Sequence, residues 1–258
     1  MLNFKHINTI AFGLLLLLLT MSIFTSISII VFIILFLVWL TITTIGSFNI
    51  SCNYHLQALN SINGHQKKQV AITFDDGPHH QFTPQIIALL KSYNANATFF
   101  CIGKNIENHP ELIKNMISEG HTIGNHTYNH SPYFDFYSRK KVAVEINRTN
   151  QLVESIIGKK MNLFRPPYGV TNPAIKKAIK QTGHHVIGWN IRSLDTVKKN
   201  SQSILNRITK NIAPGSIILL HDSKEITVDV LEQLLLYLQK NDYQTVTINT
   251  LFNIKAYA

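Results

Sequence analysis

The sequence has few cysteines, a deficit of acidic residues and one long stretch with no ionisable side chain. Only 2 of the 258 residues are cysteine, which excludes a fold held together by a disulfide framework. Lys and Arg outnumber Asp and Glu by 24 to 14. The basic residues are scattered and form no arm or aromatic-interleaved stripe, so nucleic acid is not an expected partner. If the chain also has a membrane anchor, a basic surface favours anionic lipid headgroups or envelope glycans as binding partners instead.

No Asp, Glu, Lys, Arg or His occurs between His6 and His55, and most of residues 10–45 are apolar. A membrane-spanning helix needs about 20 such residues. The stretch exceeds the apolar core of a cleaved signal peptide, which runs over about 7–15 residues. The sequence therefore predicts a membrane anchor in residues 1–48, placed in the inner (cell) membrane.

Whether the anchor has one span or two follows from its length. A single helix over residues 10–45 would be about 54 Å long, against about 30 Å for a bilayer core. Polar residues between Thr20 and Ser26 interrupt the apolar run, so a hairpin over about residues 7–23 and 27–46 fits better than one tilted helix. A hairpin returns the chain to the side where it started, whereas a single span with the N-terminus inside places the remainder outside. The flanking lysines do not decide between the two.

A linker at residues 49–66 and one large domain at residues 67–258 are expected to follow the anchor. Strand-like and helix-like runs alternate through this domain in about seven units, the fifth strand being predicted at Val186–Asn190. Such alternation indicates an α/β fold, either a (β/α) barrel or a doubly wound sheet.

Two short motifs carry the strongest chemical signal. A β-prone run ends in Asp75 and Asp76, and His126 and His130 follow downstream at a spacing of four. One carboxylate and two imidazoles make a three-ligand site for a divalent metal with open positions for water and substrate. The second carboxylate is left to act as a base on water. Taken singly, each motif also fits a solvated turn or a pair of capping histidines, but together they indicate metal-assisted hydrolysis.

Further polar residues follow other predicted strands, namely Arg165, Asp195 and His221. Barrel enzymes collect their sites at the carboxyl ends of parallel strands. The two prolines after Arg165 predict a rigid turn that holds this arginine against a carboxylate and presents the Tyr168 N–H to a developing oxyanion. His221 ends a buried strand, where it is well placed as a general acid.

In order and spacing, these motifs resemble the polysaccharide deacetylase family (carbohydrate esterase family 4, the NodB-homology domain), in a membrane-anchored form. The resemblance covers nearly all of residues 68–250. It implies a distorted (β/α) barrel and a metal of the Zn²⁺ type, with Co²⁺ or another transition metal as an alternative. By motif, it implies Asp75 as the catalytic base, Arg165 as the residue that tethers it, and His221 as the general acid. The remaining implied roles are metal ligation by Asp76, His126 and His130, oxyanion donation by the Tyr168 N–H, an acetyl-methyl pocket at Leu220, and an aromatic wall at Trp189.

The fourth motif departs from the family pattern. Asp195 matches an acidic position and is expected to orient His221, but Arg192 stands where the family has aspartate and Thr196 where it has tryptophan. These replacements leave the catalytic chemistry intact and alter the expected substrate groove. Arg192 is suited to an anionic group such as a phosphate.

The expected activity is hydrolysis of the N-acetyl group of an amino sugar in a bacterial envelope glycan. If the domain faces outward, peptidoglycan or another polysaccharide is the expected substrate. If it faces the cytoplasm, the expected substrate is an amino sugar on a polyprenyl phosphate, which the hairpin, the basic surface and Arg192 favour. An O-acetyl esterase and a catalytically inactive glycan-binding protein are the alternatives on the same fold.

Overall fold

The structure is a computed structural model that describes residues 3–258. It begins with two apolar helices, α1 (Phe4–Phe24) and α2 (Ile29–Phe48), joined by a four-residue connection. Trp39 on α2 donates through Nε1 to Asn8 Oδ1 on α1 (2.8 Å). This contact and the short connection show that the two helices pack antiparallel. Both are long and apolar enough to cross a membrane, and their side chains are mostly exposed. The two helices predicted from the sequence are confirmed, with α1 beginning three residues earlier and α2 ending two residues later than expected; their crossing of a membrane stays a prediction.

The rest of the chain folds around a parallel sheet of nine strands. Eight strands follow one another in the order β1-β6-β5-β4-β3-β2-β8-β7, and β9 pairs with the start of β2. Every named strand pair is parallel. The strands are β1 (Ala58–Leu59), β2 (Gln69–Asp75), β3 (Ala97–Cys101), β4 (Thr122–Asn125), β5 (Leu163–Phe164), β6 (His185–Ile187), β7 (Ile191–Arg192), β8 (Ile217–His221) and β9 (Gln244–Thr245).

Helices alternate with these strands, and all except the last cover the outside of the sheet. They are α3 (Phe82–Ser92), α4 (Gly103–Asn108), α5 (Pro110–Ser118), α6 (Arg139–Ile157), α7 (Pro173–Thr182), α8 (Ser201–Thr209), α9 (Glu225–Lys240) and α10 (Ile248–Phe252). Local sequence explains their ends: α6 starts at a Ser138 cap and stops at Gly158 in the left-handed region, and α7 starts at an Asn172 cap and stops at Gly183. The α/β class and the distorted barrel are confirmed.

The barrel is completed by the segment that precedes β2. β1 pairs with β6, and shortly afterwards Ser61 forms an antiparallel bridge to Ser216 while the Ile62 N–H donates to the Gly215 carbonyl (3.0 Å). Residues 49–66, predicted as a linker, thus contribute a strand and connect β6 to β8. A two-residue strand carries no periodic signal in the sequence.

Two further elements differ from the sequence prediction. The strand expected at Val186–Asn190 breaks after Ile187 into β6 and β7. The break comes at Gly188, where the Asn60 side chain approaches so closely that a Cβ would collide with it. The last strand is also shorter than expected, because α10 begins at Ile248.

Alternating residues of the strands serve two apolar layers. On β8, Ile218 and Leu220 belong to the layer between the sheet and its outer helices. Ile217 belongs to the barrel interior, where α10 contributes Ile248 and Leu251. Because side chains alternate along a strand, Leu219 and His221 share the interior face with Ile217. This alternation decides which residues reach the site at the carboxyl ends of the strands.

Candidate active site

Two adjacent carboxylates open the site at the end of β2. Neighbouring residues in a regular strand point to opposite faces, so both reach one cavity only if the strand ends between them. Asp75 is the last strand residue, and Asp76 takes a left-handed backbone conformation with φ of 73°. Asn105 holds this turn, because its Nδ2 donates to the Asp76 carbonyl (2.8 Å). Both carboxylates therefore line the same cavity.

Asp76, His126 and His130 bring three metal-ligating atoms together within 4.8 Å of one another. Asp76 Oδ1 lies 3.6 Å from His126 Nε2 and 3.4 Å from His130 Nε2. His126 Nδ1 lies 2.7 Å from the Arg165 carbonyl oxygen, which can only accept, so the proton is on Nδ1 and Nε2 keeps its lone pair. One carboxylate and two imidazoles with open positions suit a divalent metal of the zinc type, so the residues present fit the implied metal.

Electrostatics favour the ligating forms of these side chains. Burial and the neighbouring His126 lower the pKa of His130 to about 4, so this imidazole is neutral near pH 7. Burial alone would raise the pKa of Asp76, but His126 and His130 outweigh it and hold that pKa well below its usual value. A neutral imidazole and an ionised carboxylate are the states in which these groups bind a cation.

Arg165 lies fully buried beside Asp75. Its Nη1 donates to Asp75 Oδ1 (2.6 Å) and to Thr73 Oγ1 (2.9 Å). Its other donors reach the carbonyls of Ile187 (3.2 Å) and Gly188 (2.9 Å). The guanidinium is thus fixed by four hydrogen bonds and holds one oxygen of Asp75 in place, as the sequence predicts.

His221 and Asp195 form the second charged pair. His221 Nδ1 lies 2.8 Å from Asp195 Oδ1, and the His221 N–H donates to Asp195 Oδ2 (2.8 Å). The hydroxyls of Ser193 and Thr227 also donate to this carboxylate, each at 2.8 Å. Burial would lower the pKa of His221, but the hydrogen bond and charge of Asp195 prevail and raise it. Nδ1 is therefore held by Asp195, and Nε2 is left for the cavity.

The loop after Arg165 forms one wall of the cavity. Tyr168 has φ of 58°, an uncommon conformation for a residue other than glycine, and its ring meets the His130 ring edge-on at 4.9 Å. Gly169 follows with φ of 70°, and a Cβ there would lie 2.5 Å from a ring carbon of Trp189. The turn therefore requires glycine both for its conformation and for the close approach of the indole.

These side chains surround one cavity of about 240 Å³. Eight of the residues predicted from the sequence line it: Asp75, Asp76, His126, His130, Tyr168, Trp189, Arg192 and His221. Arg165 and Asp195 lie behind the lining, each bonded to a lining residue. Thr196, which the sequence singles out as a departure from the family pattern, also lines the cavity.

The prediction for Leu220 does not agree with the structure. Leu220 is fully buried in the layer beneath the outer helices, and Leu219 lines the cavity instead. The reason is the alternation along β8, which places Leu219 on the same face as His221 and turns Leu220 away from it.

Sequence reasoning missed residues that hold the metal-ligand loop. The buried carboxylate of Glu145 accepts hydrogen bonds from the N–H groups of Tyr128 (3.1 Å) and Asn129 (2.8 Å) and from Asn129 Nδ2 (2.7 Å). Asn125 Oδ1 accepts from the Thr127 N–H (2.8 Å). The signal for Glu145 was its place among the buried residues of α6, where an acidic side chain needs a partner.

Taken together, a parallel barrel and a candidate three-donor metal site flanked by two charge pairs at the carboxyl ends of its strands define a metallohydrolase-like site. Comparison with known proteins specifies the class. A family model described as polysaccharide deacetylase matches residues 63–187. A peptidoglycan-N-acetylglucosamine deacetylase of Bacillus cereus is 39% identical over 194 residues, which are 73% of this chain and 90% of that protein.

Two further relatives agree. The peptidoglycan-N-acetylmuramic acid deacetylase PdaC of Bacillus subtilis is 34% identical over 73% of this chain, a match that spans 40% of that longer protein. The crystal structure of the peptidoglycan N-acetylglucosamine deacetylase Bc1960, in complex with a hydroxamate-type benzamide, superposes with a TM-score of 0.73 at 32% identity, covering 77% of this chain and 94% of that one. The chain belongs to the polysaccharide deacetylase family, and it is a glycan deacetylase.

Proposed function

We propose that the protein hydrolyses the N-acetyl group of an amino sugar in a bacterial envelope glycan, with a divalent metal held by Asp76, His126 and His130. Zn²⁺ is the metal we expect, because a small set of nitrogen and oxygen ligands with open positions is typical of catalytic zinc. The observation that carries the proposal is the convergence of the Arg165–Asp75 pair, the Asp195–His221 pair and the three metal donors on one cavity.

Asp75 and His221 each carry out one proton transfer in the proposed reaction. When bound, the metal supplies Lewis acidity that polarises the acetyl carbonyl and lowers the pKa of the attacking water. Asp75, held by Arg165 through one oxygen, accepts the proton of that water with the other. His221, oriented by Asp195, gives its proton to the leaving amine. The backbone N–H of Tyr168 is the proposed donor to the developing oxyanion.

Peptidoglycan is the first substrate to test. Relatives from two Bacillus species bear the names of peptidoglycan deacetylases, one for N-acetylglucosamine and one for N-acetylmuramic acid. The cavity is small, which suits a single acetamido group presented by a longer glycan lying across its mouth. Leu219 is the proposed contact for the acetyl methyl group.

A lipid-linked amino sugar is the second candidate, favoured by how the anchor meets the catalytic domain. The Thr171 N–H, close to the catalytic loop, donates to the Ser47 carbonyl near the end of α2 (2.9 Å). Ser51 Oγ donates to the carbonyl of Trp189, whose side chain lines the cavity (3.1 Å). The end of the proposed membrane hairpin therefore lies beside the active site.

Acetate release from peptidoglycan strands and from a polyprenyl-phosphate-linked N-acetyl sugar, by the zinc-loaded full chain, tests the reaction and separates these substrates. Asp75→Asn and His221→Ala should each reduce activity about 10²- to 10⁴-fold, since each removes a proton-transfer group. Asp229→Asn, an exposed change on α9, is the matched control and should leave activity unchanged. Full activity in either catalytic variant would refute the assignment. Acetate release from an O-acetylated but not from an N-acetylated sugar would indicate an O-acetyl esterase. If no acetate is released from either, the protein is an inactive glycan-binding protein.

Arg192 and membrane topology sharpen the substrate choice. If Arg192 binds an anionic group, Arg192→Ala should weaken activity on a phosphorylated substrate more than on a neutral one; equal loss on both would contradict this role. A reporter fused to the C-terminus, active on only one side of the membrane, tests the orientation. A cytoplasmic C-terminus supports the hairpin and the lipid-linked substrate, and an external one supports peptidoglycan.

A further inference from the structure

A second, larger cavity lies outside the active site. It has a volume of about 880 Å³ and forms where the start of α1, residues 53–57, α7 and the start of β6 meet. The Phe4 N–H donates to the Tyr54 carbonyl (2.9 Å), which fixes the beginning of α1 against this region. None of the residues that line the catalytic cavity lines this one.

The lining of this basic cavity has a strong charge bias. Lys5, Lys176 and Lys180 contribute to it, and within residues 3–258 none of the three lysines forms an ion pair. No Asp or Glu occurs among its described lining residues. Three ammonium groups that share a concave surface without a counter-charge repel one another, so an anion between them is electrostatically favoured.

A buried histidine also lines this cavity. His55 lines the cavity with only 3% of its surface exposed. Its Nε2 lies 2.9 Å from Ser47 Oγ, but in the described part of the chain its Nδ1 has no hydrogen-bond partner. Burial, with Lys176 nearby, lowers the pKa of His55 to about 4, so the ring is neutral. The positive charge of the cavity therefore comes from its three lysines.

The position of the cavity along the hairpin indicates the depth at which it meets a membrane. The start of α1 and the end of α2 lie at the same end of the antiparallel pair, and the apolar parts of both helices run away from it. With 21 residues, α1 is about as long as a bilayer core is thick. Lys5 in its first turn is therefore at the level of the lipid headgroups, where basic side chains meet anionic lipid.

We propose that the basic cavity binds the phosphate group of an anionic membrane lipid, with Lys5, Lys176 and Lys180 as its cationic contacts. The site is separate from the catalytic cavity, and its occupancy does not depend on the deacetylase reaction. Its consequence is a specific lipid contact that fixes the orientation of the catalytic domain on the membrane surface.

Thermal unfolding of the full chain in neutral detergent, with added short-chain phosphatidylglycerol, tests the proposal. Short-chain phosphatidylcholine and inorganic phosphate are added in parallel. The test variant is Lys176→Gln with Lys180→Gln; the control, Lys177→Gln with Lys114→Gln, removes the same charge from exposed positions that do not line the cavity. Phosphatidylglycerol should raise the melting temperature of the unaltered chain and of the control. The test variant should bind it at least about tenfold more weakly, because it lacks two ammonium contacts.

Three results would overturn the proposal. Equal weakening in the test and control variants would mean that net charge alone attracts the lipid. An equal rise in melting temperature with phosphatidylcholine, whose headgroup has no net charge, would mean that the cavity does not select an anionic headgroup. Equal stabilisation by inorganic phosphate at the same concentration would assign the cavity to a free anion. Both lysines are exposed on α7, so the test variant is expected to fold, and its melting temperature without lipid verifies this.

Discussion

Replacing Arg165 with methionine tests how much the active site depends on one buried charge. The guanidinium is fully buried and makes four hydrogen bonds, of which the contact to Asp75 is the shortest. Methionine fills a similar volume, so the substitution mainly leaves the Asp75 carboxylate buried without its cation. Breaking a buried ion pair in this way typically costs about 3–5 kcal/mol of folding free energy. For a domain of this size, that lowers the melting temperature by about 6–20 °C.

The double variant Arg165→Met with Asp75→Asn separates the unpaired charge from lost packing. Removing both charges leaves no unpaired charge at this position, so we expect at least about 2 kcal/mol of the loss to be recovered. Activity should be reduced by at least the factor expected for Asp75→Asn alone, about 10²- to 10⁴-fold, because the base is absent. Arg192→Met is the matched control. It removes an exposed arginine from the same cavity, and we expect a change within about 0.5 kcal/mol.

Thermal unfolding followed by tryptophan fluorescence is a suitable assay, since the Trp189 ring lies 5.5 Å from the Arg165 guanidinium carbon. The reasoning is refuted if Arg165→Met costs less than about 1 kcal/mol, the range of an exposed pair. It is also refuted if Asp75→Asn fails to recover stability in the double variant, because the loss would then come from packing.

Three further predictions follow from other contacts. Asp195 raises the pKa of His221, so the protonated form of His221 persists to higher pH and activity falls as the pH rises through that pKa. Asp195→Asn should move this fall in activity to lower pH, measured as kcat/KM against pH. A fall at the same pH in the variant would contradict this role of Asp195. Glu145→Gln should weaken metal binding about 10- to 100-fold in a chelator competition, since it loosens the ligand loop, and an unchanged affinity would rule out that role. Gly169→Ala should lower the free energy of unfolding by about 1–3 kcal/mol more than Gly158→Ala. Both glycines have positive φ, but only at Gly169 would the added Cβ collide with a side chain, that of Trp189. Equal losses of stability in thermal unfolding would show that the structure relieves this collision.

Much of the site could be predicted from the sequence because its residues lie directly after strands. Asp75, Asp76, His126 and His221 follow or end buried runs, and in a parallel barrel the carboxyl ends of the strands meet. The structure brings these four side chains to one cavity. The partners behind them were harder to find, because the contact between Glu145 and the Asn129 loop spans 16 residues and leaves no local pattern.

The sequence by itself determined the α/β alternation, the apolar helix pair and the set of candidate site residues, since each depends on local composition, periodicity and motif spacing. Tertiary structure alone decided the rest. It placed Leu219 rather than Leu220 in the cavity, because the inward face of β8 is defined by its neighbours. It also divided the strand around Gly188, used residues before β2 to complete the barrel, and brought Lys5 and Lys176 into the lining of one second cavity. Each of these depends on segments distant in sequence that only folding brings into contact.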